Sequence, residues 1–176
     1  ARVEKAADIV NSSDETWLVW CDLNVESEQL TKMIPGAVEV RGSDKPEYKE
    51  KTSMDFCEGK IRVLVSKPSI FGSGLNYQHC HNMIFVGLSD SFEALYQAIR
   101  RCWRFGQEHQ VNVHVITSEA EGAVVQNIKE KEKRFNEMLS GMISASQEIT
   151  RENIRGSYRM SDEYNPQEKM VVPSWI

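Results

Sequence analysis

Short apolar runs rich in valine and isoleucine recur along this chain with longer helix-patterned stretches between them, and this alternation restricts its fold more than any other feature. Strands buried on both faces read as continuous apolar runs, and the helical stretches between them read as crossovers. The predicted strands are Trp17 to Cys21, Ala37 to Arg41, Ile61 to Ser66, Met83 to Val86 and Val111 to Thr117. The predicted helices lie near Val3 to Val10, Ser27 to Met33, Pro46 to Phe56, Ser91 to Arg104 and Glu119 to Leu139. The expectation is a three-layer α/β domain with a mostly parallel central sheet of five or more strands flanked by helices.

At 176 residues the chain has the length of one core, and 40% hydrophobic against 27% charged residues excludes a largely disordered or collagenous chain. Residues 1–140 are expected to form the domain and 141–176 an extension, because Ser161 to Lys169 has little to bury. The formal charge of -5 excludes a body that grips nucleic acid by bulk charge, so any such contact must be local. No apolar run approaches the ~20 residues that span a bilayer, and four cysteines without C-x-x-C spacing fit reduced, buried thiols. A cytoplasmic protein with no membrane partner is expected.

The stretch Gln97-Ala98-Ile99-Arg100-Arg101-Cys102-Trp103-Arg104-Phe105-Gly106-Gln107 carries the chemistry. It fits Q-x-x-x-R-x-x-R-x-G-Q, which random sequences of this length would match on the order of once in ten thousand. Continued as a helix, it places Gln97, Arg101 and Arg104 on one face and Phe92, Leu95, Tyr96, Ile99, Cys102 and Trp103 on the other. Two guanidinium groups one turn apart can match phosphate oxygens bidentately, which lysine cannot do. A plain solvated helix face is the competing explanation, and the full pattern outweighs it. A second element, Ser66-Lys67-Pro68-Ser69-Ile70-Phe71-Gly72-Ser73-Gly74-Leu75-Asn76-Tyr77-Gln78, follows a strand. Glycines at the carboxyl end of a parallel strand bring backbone amides close to a ligand.

Together these residues resemble the second RecA-like domain of superfamily 2 helicases and translocases, particularly the Swi/Snf-type branch and its phage and bacterial relatives. Gln97 to Gln107 is similar to motif VI and Gly72-Ser73-Gly74-Leu75-Asn76 to motif V. Leu18-Val19-Trp20-Cys21 sits where the motif IV strand would be, and Val40-Arg41-Gly42 with Phe56 and Gly59 is similar to the intervening segment. The resemblance covers about Val3 to Leu139 and implies half of a nucleic-acid-dependent ATPase. Arg104 would be the arginine finger on the γ-phosphate, with Arg101 its partner. Gln97, Gly74 and Asn76 would line the nucleotide or couple it to DNA. Arg41, Gly42, Ser66 and Lys67 would face the nucleic-acid backbone. ATP and magnesium would be held mainly by an N-terminal RecA-like domain of the same protein, and duplex DNA is favoured as the track, with RNA still open.

Two departures bear on that resemblance. Phe71-Gly72 stands where paired glycines are usual, and no G-x-x-x-x-G-K-S/T phosphate loop occurs, so this chain alone is expected to be an inactive carboxyl-terminal half. The start at Ala1 fits an excised domain. Gln78-His79-Cys80-His81 invites a metal, but adjacent ligands rarely converge on one ion, and no metal site is expected. The tryptophans Trp17, Trp20 and Trp103 are expected in the core. The alternative function is a non-catalytic RecA-like module that binds nucleic acid or another protein.

Overall fold

The computed structural model describes residues 1–70 and 76–156, the side chains of 152–156 excepted. Its elements in chain order are α1 (Arg2–Asn11), β1 (Trp17–Cys21), α2 (Asn24–Met33), β2 (Ala37–Glu39), α3 (Pro46–Cys57), β3 (Val63–Ser66), β4 (Asn82–Val86), α4 (Phe92–Ile99), β5 (Asn112–Ile116), a short 3-10 turn (Glu119–Glu121) and α5 (Gly122–Gly156). All five predicted strands form. They pair parallel in the order β2-β3-β1-β4-β5, with Leu18 opposite Leu64 on one side and Met83 on the other.

Every residue of β1, β3 and β4 is buried, which is why these strands read as unbroken apolar runs. Alternate side chains feed two cores. On one face Val3, Ala6, Ala7 and Val10 of α1 and Leu30 of α2 pack on Trp17, Val19, Val65 and Ile84. On the other, Phe56 of α3, Ala98 of α4, Tyr77, Cys80 and Cys102 pack on Leu18, Trp20, Leu64, Met83 and Phe85. The connections that run towards β5 lie on this second face, as right-handed crossovers require. Trp17 and Trp20 are core residues, as expected.

The described residues fall into two units, the first ending at Arg134 and the second beginning at Phe135. Within the second, α5 continues to Gly156, well past the expected end near Leu139. No proline interrupts it before Pro166, and the Ser144 and Thr150 hydroxyls donate back to the carbonyls of Ser140 and Ser146 at 2.9 and 2.8 Å. The Ser161 to Lys169 stretch lies outside the described residues. No helix among them is long and apolar enough to cross a membrane.

At the carboxyl end of the sheet, Arg2 joins α1 to two other elements. Its guanidinium donates to Glu26 at 2.5 Å and to Glu121 at 2.6 Å, beside Gly87, whose φ of 82° follows β4. The Ser118 backbone N–H, at 2.7 Å, is the main cause that holds the Glu121 carboxyl below its ordinary value of 4.5, with Arg2 adding to it. A carboxyl depressed in the folded state stabilises above the unfolded pKa and loses that contribution as pH falls through 4.5 and below. Glu121→Gln therefore flattens the acid limb of stability against pH, measured by urea unfolding between neutral pH and about pH 3.

Candidate functional site

Ser91 caps α4, its hydroxyl accepting the Ala94 N–H at 3.2 Å, but the helix stops at Ile99 instead of continuing to Arg104 as predicted. From there the bonding is mixed: Arg101 N–H reaches Ala98 C=O and Cys102 N–H reaches Ile99 C=O, both at 3.2 Å, while Trp103 N–H still reaches Ile99 C=O at 3.0 Å. The carbonyls that would have continued the helix are taken by other partners: Arg101 C=O accepts the Tyr77 N–H at 2.9 Å, and Cys102 C=O accepts the Gln107 side-chain amide at 3.2 Å. The expected two-faced helix is corrected accordingly. Arg101, assigned to the solvent side, is 7% exposed, whereas Trp103, assigned to the core, is 52% exposed with the Arg100 guanidinium 5.3 Å from its ring centroid. Phe105 is fully exposed, and Arg104 and Gln97 lie at the surface.

Burial is the main cause that lowers the Arg101 pKa; Tyr77 opposes this and the Arg104 charge adds to it. Among the described residues no carboxylate lies within ion-pair distance of Arg101. A desolvated cation with a cation for a neighbour is costly until an anion meets it. Tyr77 is itself buried, its hydroxyl 2.9 Å from Ser53 Oγ, and desolvation pushes its pKa to about 12.

Residues 76–80 lie directly against this arginine turn. Gln78 donates its side-chain amide to Phe105 C=O at 3.2 Å, and Gln107 Nε2 is shared among the carbonyls of Gln78, Cys80 and Cys102 at 2.9, 3.3 and 3.2 Å. The Cys80 and Cys102 thiols are hydrogen-bonded, and this contact, followed by burial, holds the Cys102 thiol far above its ordinary range. In the sequence Gln78 closes the glycine-containing element and Gln107 closes the arginine pattern, but nothing local to either shows that it holds the turn. Asn76 is exposed, its side chain bonded to Gln78, and Gly74 lies outside the described residues.

The other predicted site residues sit at the carboxyl ends of β2 and β3. Arg41 is not a free cation: its guanidinium forks onto Glu39 at 2.7 Å twice and reaches Glu28 at 3.0 Å. The Gly42 carbonyl accepts Lys49 Nζ at 2.6 Å, and a Cβ at this glycine would meet nothing within 4 Å. Lys67 is half-buried near Cys21. Ser66 is a correction: its side chain is buried and its hydroxyl donates to Val40 C=O at 2.9 Å, so it ties β3 to the end of β2 and offers no hydroxyl to a ligand. His79 packs edge-on against Phe56 at 4.8 Å, and His81 lies 3.6 Å from Glu15. Among the described residues no three His, Cys, Asp or Glu side chains are grouped to hold a metal.

Gly106 makes the arginine turn possible, with φ of 91° and a Cβ that would meet Gln78 Nε2 at 2.9 Å. Gly106→Ala is expected to cost about 1–2 kcal/mol, from left-handed strain and loss of the Gln78 bond to Phe105. Urea unfolding measures this, and the cost should shrink in a Gln78→Ala background.

Comparison with known proteins agrees with this architecture. Among solved structures, the C-terminal part of the Fun30 ATPase domain is similar, with 20% identity, a TM-score of 0.64, and coverage of 72% of this chain and 45% of that one. The C-terminal domain of the DEAD-box protein Dbp5 is similar too, at 12% identity and a TM-score of 0.60, with coverage of 74% and 77%. At these identities the likeness shows the fold, and this chain spans less than half the length of the Fun30 structure. No curated protein matches the sequence. The family model described as helicase conserved C-terminal domain matches residues 1–106, most of the first unit. With its parallel RecA-like sheet and its arginine turn, this chain belongs to that family, the helicase conserved C-terminal domain.

Proposed function

We propose that this chain is the carboxyl-terminal motor domain of an ATP-dependent translocase or helicase acting on nucleic acid, duplex DNA in the first instance. Residues 1–140 form the motor domain and 141–176 an extension to it. ATP and magnesium are held mainly by an N-terminal RecA-like domain of the same protein, and this domain presents Arg104 to the γ-phosphate when the two close. Arg101 stands one turn back as the second phosphate contact, and Gln97, Gly74 and Asn76 border the nucleotide or link it to the track.

The observation that carries this proposal is the pairing of a buried and an exposed arginine in one turn. Arg101 is desolvated with no carboxylate partner among the described residues, while Arg104, three residues on, projects from the surface. A phosphate chain arriving between them would relieve the buried charge and receive a bidentate fork. Because Tyr77, Gln78 and Gln107 already hold the backbone of the turn, the peptide that carries the two arginines needs little rearrangement. Arginine fingers contribute about 10³ to 10⁵ in rate, or roughly 4 to 7 kcal/mol.

At the carboxyl ends of the strands, the Arg41-Gly42 loop and Lys67 supply the track contacts. With Arg41 neutralised by Glu39 and Glu28, Lys67 carries the charge and the Gly42 region the backbone groups. Such contacts read phosphate, not sequence, which suits a motor that moves.

Two measurements test this. In the full protein, Arg104→Ala lowers DNA-stimulated ATP turnover by about 10³ with ATP still bound. Arg101→Lys also loses rate, because an ammonium cannot fork. An undiminished rate in Arg104→Ala gives the site to the non-catalytic binding module. Lys67→Ala weakens DNA binding uniformly across sequences and reduces the salt slope by about one, measured by titration at several salt concentrations.

A further inference from the structure

The segment carrying Arg104 is clamped on both sides by side-chain amides of glutamine. Before it, Cys102 C=O is held by Gln107 Nε2; after it, Phe105 C=O is held by Gln78 Nε2. The two glutamines are also bonded to one another, since Gln107 Nε2 donates to the backbone carbonyl of Gln78 at 2.9 Å. Gln78, like Gln107, touches both segments. Its Oε1 accepts Asn76 Nδ2 at 3.1 Å, its backbone N–H donates to Asn76 Oδ1 at 3.2 Å, and its Nε2 donates to Phe105 at 3.2 Å. The glycine at 106 keeps the amide in place, because any side chain there would displace it.

We propose that Gln78 is a positioning residue through which the Asn76 segment sets the register of Arg104, with Gln107 closing the ring. This rests on the proposed role of Arg104. The Gln78 amide ties the Asn76 side chain, on its own loop, to the Phe105 carbonyl across from it, so a displacement of that loop stretches or breaks the bond to Phe105. A shift at Asn76 on nucleic-acid contact would therefore move the Phe105 peptide, one residue beyond Arg104. Gln78 touches no phosphate in this scheme; it acts through Arg104.

Two variants separate positioning from packing. Gln78→Ala removes both ends of the amide. Gln78→Glu keeps the size of the side chain and the acceptor for Asn76, and replaces the donor to Phe105 by a charged oxygen that cannot bond the carbonyl. In the full protein, both are expected to lower the DNA-stimulated kcat about tenfold, with the KM for ATP and the half-stimulating DNA concentration within about twofold. In an Arg104→Ala background, Gln78→Glu should cause no further loss, because the two act as one unit. Thermal unfolding is followed alongside, and the isosteric Glu variant keeps the test valid if the alanine variant is unstable. A stimulated kcat within twofold of wild type in Gln78→Glu overturns the proposal, as does a full additional loss in the Arg104→Ala background. If Arg104→Ala itself retains full turnover, the finger assignment has failed instead.

Discussion

The geometry of the arginine turn depends on one topological constraint: β1 lies between β3 and β4, so the chain leaving β3 must cross over β1 before it can pair again. All three strands are buried on both faces, and the crossing segment therefore has to supply part of the cover on its own face. Tyr77 and Cys80 do this, packing on the same core as Ala98 and Cys102. With those side chains in one core, residues 76–80 and 101–107 come within hydrogen-bonding distance of each other, and their backbones are laced together by Tyr77, Gln78 and Gln107.

This lacing explains how a helix ends where its sequence could have continued. A helix releases its last carbonyls to whatever donor is near. Here the Tyr77 N–H and the Gln107 amide take those of Arg101 and Cys102, so the chain turns instead of adding another helical turn. The consequence is an asymmetric pair of arginines. Arg101 is drawn inward with the turn while Arg104 is left outside, and the aromatic pair Trp103 and Phe105 is turned to the surface beside it. A continuous helix would have put both arginines in solvent, where each would be an ordinary surface cation.

Much of the fold was legible in the sequence because strands buried on both faces have no choice but to be apolar along their length; Trp17–Cys21 and Val63–Ser66 are the clearest instances. The strand boundaries moved by only a residue or two. Helix ends were less legible, because they depend on partners distant in sequence. Gln97 to Gln107 was recognisable as a unit, yet periodicity put Trp103 inside and Arg101 outside, since it assumes a helix that residues 77 and 107 interrupt. Ser66 failed for a related reason: a serine at a strand end looks available until Val40 C=O is found beside it.

By itself the sequence determined the class of sheet, the positions of its five strands and the pairing of Arg101 with Arg104 at a fixed spacing. These follow from local composition and period, which the chain carries wherever it goes. Tertiary structure alone decided which arginine is desolvated, which aromatics face outward, and that Arg41 is spent on Glu39 and Glu28. Burial and hydrogen-bond partnership are properties of neighbours in space, and those neighbours were chosen by the crossing over β1.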